Sequence, residues 1–142
     1  MKRILLSVIA SLAVFGSAWH DAPLSVAPAN AAEVTDAGSA LASAFEKHAR
    51  NIRVEGRGTV AKILPDDNDG SRHQRFIVRL GSGQSILIAH NIDLAQRVAP
   101  LRVGNVVSFS GEYVWNPKGG IVHWTHRDPS GRRPAGWIRN DS

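Results

Sequence analysis

Residues 73–115, HQRFIVRLGSGQSILIAHNIDLAQRVAPLRVGNVVSFSGEYVW, decide the fold of this chain. Residues 73–80 alternate between polar and apolar side chains, which is the period of a half-buried β-strand. The residues expected on the buried side are Phe76, Val78 and Leu80. Residues 81–83 (GSG) predict a turn, and residues 84–90 (QSILIAH) predict the next strand.

The chain after this strand pair predicts a connector and a hairpin. Residues 91–101 indicate a short helix or a turn, capped by Asn91. Residues 106–115 predict another strand, residues 116–120 (NPKGG) a hairpin turn, and residues 121–125 a last strand.

The chain before residue 73 predicts a helix and then a first strand. Asp36 can cap a helix over residues 37–51, whose apolar side chains recur at helical spacing. Residues 53–64 predict a strand, and residues 65–71 (PDDNDGS) predict a loop. The tail, residues 128–142, is rich in Gly, Pro and Arg and is expected to be irregular.

Three strands, a connector and two more strands follow the order of the OB-fold barrel. Residues 101–107 (LRVGNVV), followed by Gly111, resemble the entry to the fourth strand in many OB domains. We therefore predict a mainly β protein, a small five-stranded OB-like barrel preceded by an N-terminal helix. The alternative is a five-stranded antiparallel sandwich.

The N-terminus has the pattern of a secretory signal peptide. Lys2 and Arg3 precede an apolar run over residues 4–15, which is too short to span a bilayer as a mature helix. Small residues predict cleavage after Ala31, with Ala18 as the alternative site. An uncleaved anchor or a buried helix is the competing interpretation.

This pattern predicts a signal peptide over residues 1–31, a helical lead segment over 32–52 and the barrel with an irregular tail over 53–142. We expect a periplasmic or secreted bacterial protein without a mature transmembrane anchor. The chain contains no cysteine, which excludes thiol catalysis and cysteine zinc sites.

The charge balance favours an anionic partner. The chain carries 17 Lys and Arg against 12 Asp and Glu, a formal net charge of +5. After residue 31 nearly all positive charge is arginine, whose planar fork suits phosphate and carboxylate groups. Nucleic acid, phosphorylated lipid and acidic glycan all fit, but export argues against cytoplasmic nucleic acid. A merely solvated basic surface is the alternative.

The candidate ligand-binding residues lie on the second strand and near the hairpin. His73, Arg75 and Arg79 share one side of their strand, a frequent ligand surface in OB domains. Trp115 could offer a stacking surface, whereas Trp124 is expected in the core. The full predicted set is His73, Arg75, Arg79, His90, Trp115, Asn116, His123 and Arg127.

A second function class is a metal-dependent hydrolase of nuclease type. Its divalent ion would be held by His90, His123, His126 and Asp128, with Glu112 as base. His123 and His126 could both ligate only if their strand breaks near Thr125.

The competing interpretation of these residues is structural. In it, His126 and Asp128 stabilise a turn, and His90 ends a strand beside the capped connector. No serine elbow or phosphate-binding glycine loop is present. We therefore expect no cofactor and a binding protein rather than an enzyme, and an envelope protein-interaction module is a third possibility.

Residues 54–138 resemble an uncharacterised exported bacterial family, a domain of unknown function with an OB-like barrel. The resemblance rests on residues 73–80 (HQRFIVRL), 88–95 (IAHNIDLA), 111–131 (GEYVWNPKGGIVHWTHRDPSG) and 136–138 (GWI). It implies a fold but no activity. Similar sequences carry His where this chain has Arg133, so a site that needs that His would be incomplete.

Overall fold

A computed structural model describes the backbone of residues 29–142 and the side chains from residue 37 onward. The predicted signal peptide therefore lies outside the described residues, except for its last three positions. Those positions begin the helix that precedes the sheet.

The described part of the chain is mainly β, as the sequence predicts. The elements are α1 (Ala29–Glu46), β1 (Arg50–Asp67), β2 (His73–Leu80), β3 (Ser85–Asn91), β4 (Val106–Val114), β5 (Ile121–His123) and β6 (Trp137–Asn140). No helix in the described residues is long and apolar enough to cross a membrane.

The strands form one six-stranded sheet whose pairings run in a ring. β1, β2 and β3 pair antiparallel in chain order, and β3 then pairs with β5 in parallel. β5 pairs antiparallel with β4, and β4 pairs antiparallel with β1, which completes the circuit. β6 pairs with the first half of β4, on residues that β5 leaves free.

The core fills the inside of this ring. The alternation of β2 is confirmed, since Phe76 and Val78 are fully buried and Leu80 is 5% exposed. Helix α1 adds Leu41 to the same core. A Cβ on Gly56 would lie 2.8 Å from the Leu41 side chain and against the ring of Phe109, so this close approach requires glycine.

Helix α1 ends five residues before the predicted end at residue 51. The amide of His48 donates to Phe45, and the amide of Ala49 donates to Ala44, which is the hydrogen-bond pattern of a Schellman motif. His48 has φ 51°, the left-handed position that glycine usually fills, so the sequence gives no stop signal there. β1 then begins at Arg50.

The connector between β3 and β4 is a turn followed by irregular chain, without a helix. The predicted cap is present, because the side-chain oxygen of Asn91 accepts the amides of Asp93 and Leu94. Gln74 then holds Val98 by two hydrogen bonds of 2.9 and 2.8 Å. These bonds fix the connector to β2 and take the backbone of Val98 out of any helix.

The predicted irregular tail is wrong in one part, because it contains β6 and so raises the strand count from five to six. β5 ends at His123, and Trp124 has φ 55°, a left-handed conformation that is rare for a bulky residue. Residues 124–136, which we name the β5–β6 loop, leave the sheet there and return to β4 through β6.

Candidate functional site

The outer side of β2 presents three of the predicted binding residues together. His73 and Arg75 are partly exposed and Arg79 is exposed, while Gln74, Phe76 and Val78, which alternate with the outward residues, are buried. The Arg75 Nε donates to the Pro65 carbonyl at 3.0 Å, and the His73 Nδ1 bonds the Ser71 carbonyl at 2.7 Å. The predicted shared face is therefore formed.

Several arginines of this protein form ion pairs with carboxylates, but the two arginines of β2 do not. Ion pairs join Arg57 to Asp141, Arg72 to Asp93, Arg97 to Asp66, Arg133 to Glu112 and Arg139 to Asp141. Within the described residues, neither Arg75 nor Arg79 forms an ion pair. Their charge is therefore available to a ligand.

Apolar side chains cross the same surface between the two arginines. Ile77 on β2 pairs with Leu87 on β3, and Leu87 pairs with Ile121 on β5. All three are partly exposed and point away from the core. We name the outer surface formed by His73, Arg75, Ile77, Arg79, Leu87, Ile121 and His123 the β2–β3–β5 face.

His90 is not on this face, contrary to the binding prediction. It is 3% exposed, and both ring nitrogens are engaged, Nδ1 with the Thr125 hydroxyl at 2.7 Å and Nε2 with the Gln96 carbonyl at 2.8 Å. A carbonyl only accepts, so Nε2 carries the proton and Nδ1 accepts from Thr125. Burial lowers the pKa of His90 and keeps the ring neutral.

His123 lies at the edge of the face beside a carboxylate. Its Nε2 is buried without a hydrogen-bond partner among the described residues, 3.9 Å from the Glu112 carboxylate. Burial lowers the pKa of His123, and the Glu112 charge opposes that shift. The Arg133 Nε bonds the other Glu112 oxygen at 3.2 Å. Arg133 thus holds Glu112 in place.

Asp128 and His126 stabilise the β5–β6 loop. Asp128 is 3% exposed and accepts the amides of Ser130 and Arg133 as well as the Ser130 hydroxyl. These bonds, the Ser130 hydroxyl first, lower the pKa of Asp128. His126 is 7% exposed, and its Nδ1 bonds the Arg127 carbonyl at 2.8 Å.

The predicted metal set is not assembled as a set of ligands. The strand does break beside Thr125, at Trp124, but His90 has no free nitrogen and Asp128 is occupied by loop hydrogen bonds. Over residues 37–142, no three His, Asp or Glu side chains stand where they could hold one metal ion. His90, His126 and Asp128 therefore have the structural roles that the competing interpretation describes, whereas His123 lies on the β2–β3–β5 face.

Trp115 and Asn116 contribute to structure rather than to an open surface. Trp115 packs against the core, and its ring stacks on His48 with centroids 4.0 Å apart. The Asn116 side-chain oxygen accepts the amides of Lys118 and Gly120, which closes the hairpin turn. The predicted stacking role of Trp115 is therefore not supported by its position.

The loop aromatics and cations are arranged differently from the prediction. Trp124 is partly exposed instead of buried, because its left-handed backbone turns it out of the strand. The Arg133 guanidinium lies 4.2 Å above its ring. Arg127 is exposed in the β5–β6 loop and is not part of β2.

Sequence reasoning missed the apolar residues of the face. Ile77, Leu87 and Ile121 each lie next to core residues in short apolar runs, FIV, ILI and IV. Such runs are typical of strands with apolar side chains on both sides, which was the available signal.

Fold and site together define a small mainly β protein. Its outer sheet surface carries arginines that form no ion pair among the described residues, and these flank an apolar centre. Residues 23–142 match the model of a family described as a protein of unknown function, DUF3465. The chain belongs to that family, which confirms the expected relation to an uncharacterised family. No curated protein matches the chain significantly.

Proposed function

We propose that this protein is an exported, OB-like binding module that holds an anionic or polar ligand on the β2–β3–β5 face. The main observation in support is that Arg75 and Arg79 lie on the outer side of β2 and form no ion pair among the described residues. Five other arginines have carboxylate partners. Of the described arginines that have none, Arg75 and Arg79 lie together on one outer strand surface, where a ligand could contact both.

The strand circuit supports the OB-like interpretation. An OB-fold is a partly open five-stranded barrel that binds ligands on strands two and three and on the loops after strands one and four. Here β1, β2, β3, β5 and β4 pair in that order, and β4 returns to β1. β6 and the β5–β6 loop are additions to that plan, placed along the free edge of β4.

Binding to anionic probes tests the proposal. The purified protein is titrated with a labelled single-stranded oligonucleotide and a labelled acidic glycan at about 50 and about 200 mM salt. We expect at least one probe to bind in a salt-sensitive way. The double variant Arg75→Gln/Arg79→Gln should weaken that binding about tenfold, as expected for losing charged contacts worth about 1.4 kcal/mol.

The matched control is Arg102→Gln, an exposed arginine in the turn before β4 and outside the face. It removes one charge and should leave the affinity within about twofold. Absence of salt-sensitive binding to every anionic probe, acidic peptides included, would overturn the proposal, and so would equal losses in the double variant and the control.

Export is supported by the N-terminal pattern of Lys2, Arg3 and the apolar run that follows. Cell fractionation and N-terminal sequencing test it. We expect the protein in the periplasm or medium, beginning at Ala32. A cytoplasmic protein that retains Met1 would contradict the export part without affecting the binding part.

A further inference from the structure

The centre of the β2–β3–β5 face is apolar. Ile77, Leu87 and Ile121 lie side by side across three strands, and Val114 extends the row onto β4 opposite Ile121. Each of these side chains points away from the core and is partly exposed to solvent. A row of branched aliphatic side chains contributes binding free energy only when a partner removes it from water.

The cations of β2 stand on both sides of this row. On the β3 side Arg75 pairs with Ala89 and Arg79 pairs with Ser85, so each arginine has a small neighbour toward the apolar row. Successive outward residues of a strand are about 7 Å apart, so Arg75, Ile77 and Arg79 span about 13 Å in a line. The pattern along β2 is therefore cation, apolar, cation.

No Phe, Tyr or Trp of residues 37–142 belongs to the β2–β3–β5 face, which weighs against single-stranded nucleic acid as its ligand. Proteins that bind single strands stack bases on exposed aromatic rings. In residues 37–142, Phe76, Phe109 and Tyr113 are buried, Trp115 stacks on His48, and Arg133 and Arg139 lie over Trp124 and Trp137. The β2–β3–β5 face itself presents only aliphatic, small, arginine and histidine side chains.

We propose that this face docks an acidic segment of a partner protein, extended along β2, in which one large apolar side chain lies between two carboxylates at alternate positions. The inference rests on the proposed function and names its ligand class. An extended peptide repeats its side chains every second residue, as β2 does, so the two patterns coincide. Protein interfaces usually have an apolar centre and a polar rim, as this face does. Arginine binds a carboxylate through two parallel hydrogen bonds, which favours an acidic partner.

Two labelled peptides of identical composition test the register. One carries Glu-Thr-Ile-Thr-Glu, which matches the face, and the other carries Glu-Glu-Thr-Thr-Ile. Fluorescence anisotropy with the purified protein should give about tenfold tighter binding for the first peptide, because only it places the apolar contact between both charges.

Ile77→Ser should abolish this preference, while Val103→Ser should preserve it. Val103 is 63% exposed in the turn before β4, so its control variant removes a branched side chain outside the face. Circular dichroism confirms that both variants are folded. Equal affinities of the two peptides, or a preference that survives Ile77→Ser, would overturn the docking proposal.

The outcomes separate the two proposals. If oligonucleotide or glycan binds in a salt-sensitive way but the peptides are not distinguished, the docking proposal fails and the general binding function stands. An oligonucleotide that binds more tightly than the matching peptide at the same salt concentration also overturns the docking proposal. If no anionic probe binds, both proposals fail.

Discussion

The outer sides of β2 and β4 belong to the same sheet, yet only the β2 side is left open. On β4, Ser108 and Ser110 point outward but are only 6% and 0% exposed. The β5–β6 loop and β6 lie against these serines. Arg53 joins the loop to β4, because it donates to the Ser110 hydroxyl and to the carbonyls of Pro134 and Ala135. On β2, Arg79 is exposed and has no ion pair within the described residues.

The difference shows that arginine serves two purposes in this protein. On the covered side, Arg53 of β1 bonds the β5–β6 loop, and Arg57 and Arg139 pair with Asp141. Asp141 also accepts a hydrogen bond from Ser108 of β4, so these bonds fix the C-terminal residues to the sheet. On the open side, the arginines bond almost nothing that the fold needs. Substitutions should therefore affect stability on one side and binding on the other.

The largest expected effect is on the covered side, at Gly136. A Cβ at this position would overlap the Trp124 carbonyl and lie 2.8 Å from the Ser110 carbonyl, and backbone atoms cannot move aside cheaply. Gly136→Ala should lower the free energy of unfolding by about 3 kcal/mol or detach the loop. Urea denaturation measures this.

The control for that variant is Gly81→Ala, since a Cβ there would meet nothing within 4 Å. It should change the free energy of unfolding by less than about 0.5 kcal/mol. If Gly136→Ala were as stable as Gly81→Ala, the close contact between loop and β4 would be refuted.

Arg53→Ala should have the next largest effect. The variant loses hydrogen bonds of 3.0 Å to Pro134 and 2.9 Å to Ser110 and so leaves Ser110 without this partner. We expect a loss of about 1–2 kcal/mol in the free energy of unfolding, because the donor is charged and the bonds are partly shielded. Arg102→Ala is the comparison, and an equal loss in both variants would contradict this role of Arg53.

The stability of the whole fold should also fall in acid because of His90, a buried residue of β3. Burial places the pKa of His90 in the folded protein below its ordinary value of 6.5, so the unfolded chain binds more protons. The stabilisation is complete above that ordinary value and is lost as the pH falls below it. Urea denaturation at about pH 7.5 and about pH 5.5 should show the loss.

His90→Gln should reduce this pH dependence, because the amide can still donate to the Gln96 carbonyl but does not titrate. Part of the dependence should remain, since burial also lowers the pKa of His123. A variant whose stability falls in acid as steeply as that of the parent would show that His90 is not the responsible group.

The sequence predicted the open side better than the covered side. The bounds of β2 were correct, as was the side that carries His73, Arg75 and Arg79, because period-two alternation is a local signal. β6 was missed because its four residues follow a Gly- and Pro-rich segment and are ordered by pairing with β4. That pairing is a long-range contact that no local pattern encodes.

The misassigned site residues have a similar cause. His90 and Asp128 were chosen for their chemistry, but their hydrogen bonds determine what they do. His90 bonds the distant Thr125 and the nearby Gln96, and Asp128 bonds amides of its own loop. Trp124 was expected in the core because it continues the alternation of Val122. Its left-handed backbone ends that alternation, and only the path of the chain reveals it.

The smallest expected effect on stability belongs to Arg75→Gln/Arg79→Gln. Neither arginine has an ion pair in the described residues, and the hydrogen bond from Arg75 to the Pro65 carbonyl is exposed. The free energy of unfolding should stay within about 0.5 kcal/mol of the parent. A folded, equally stable double variant that no longer binds anionic probes would show that these charges serve a ligand. A loss as large as that of Arg53→Ala would instead make the β2 arginines part of the fold and remove the contrast between the two sides.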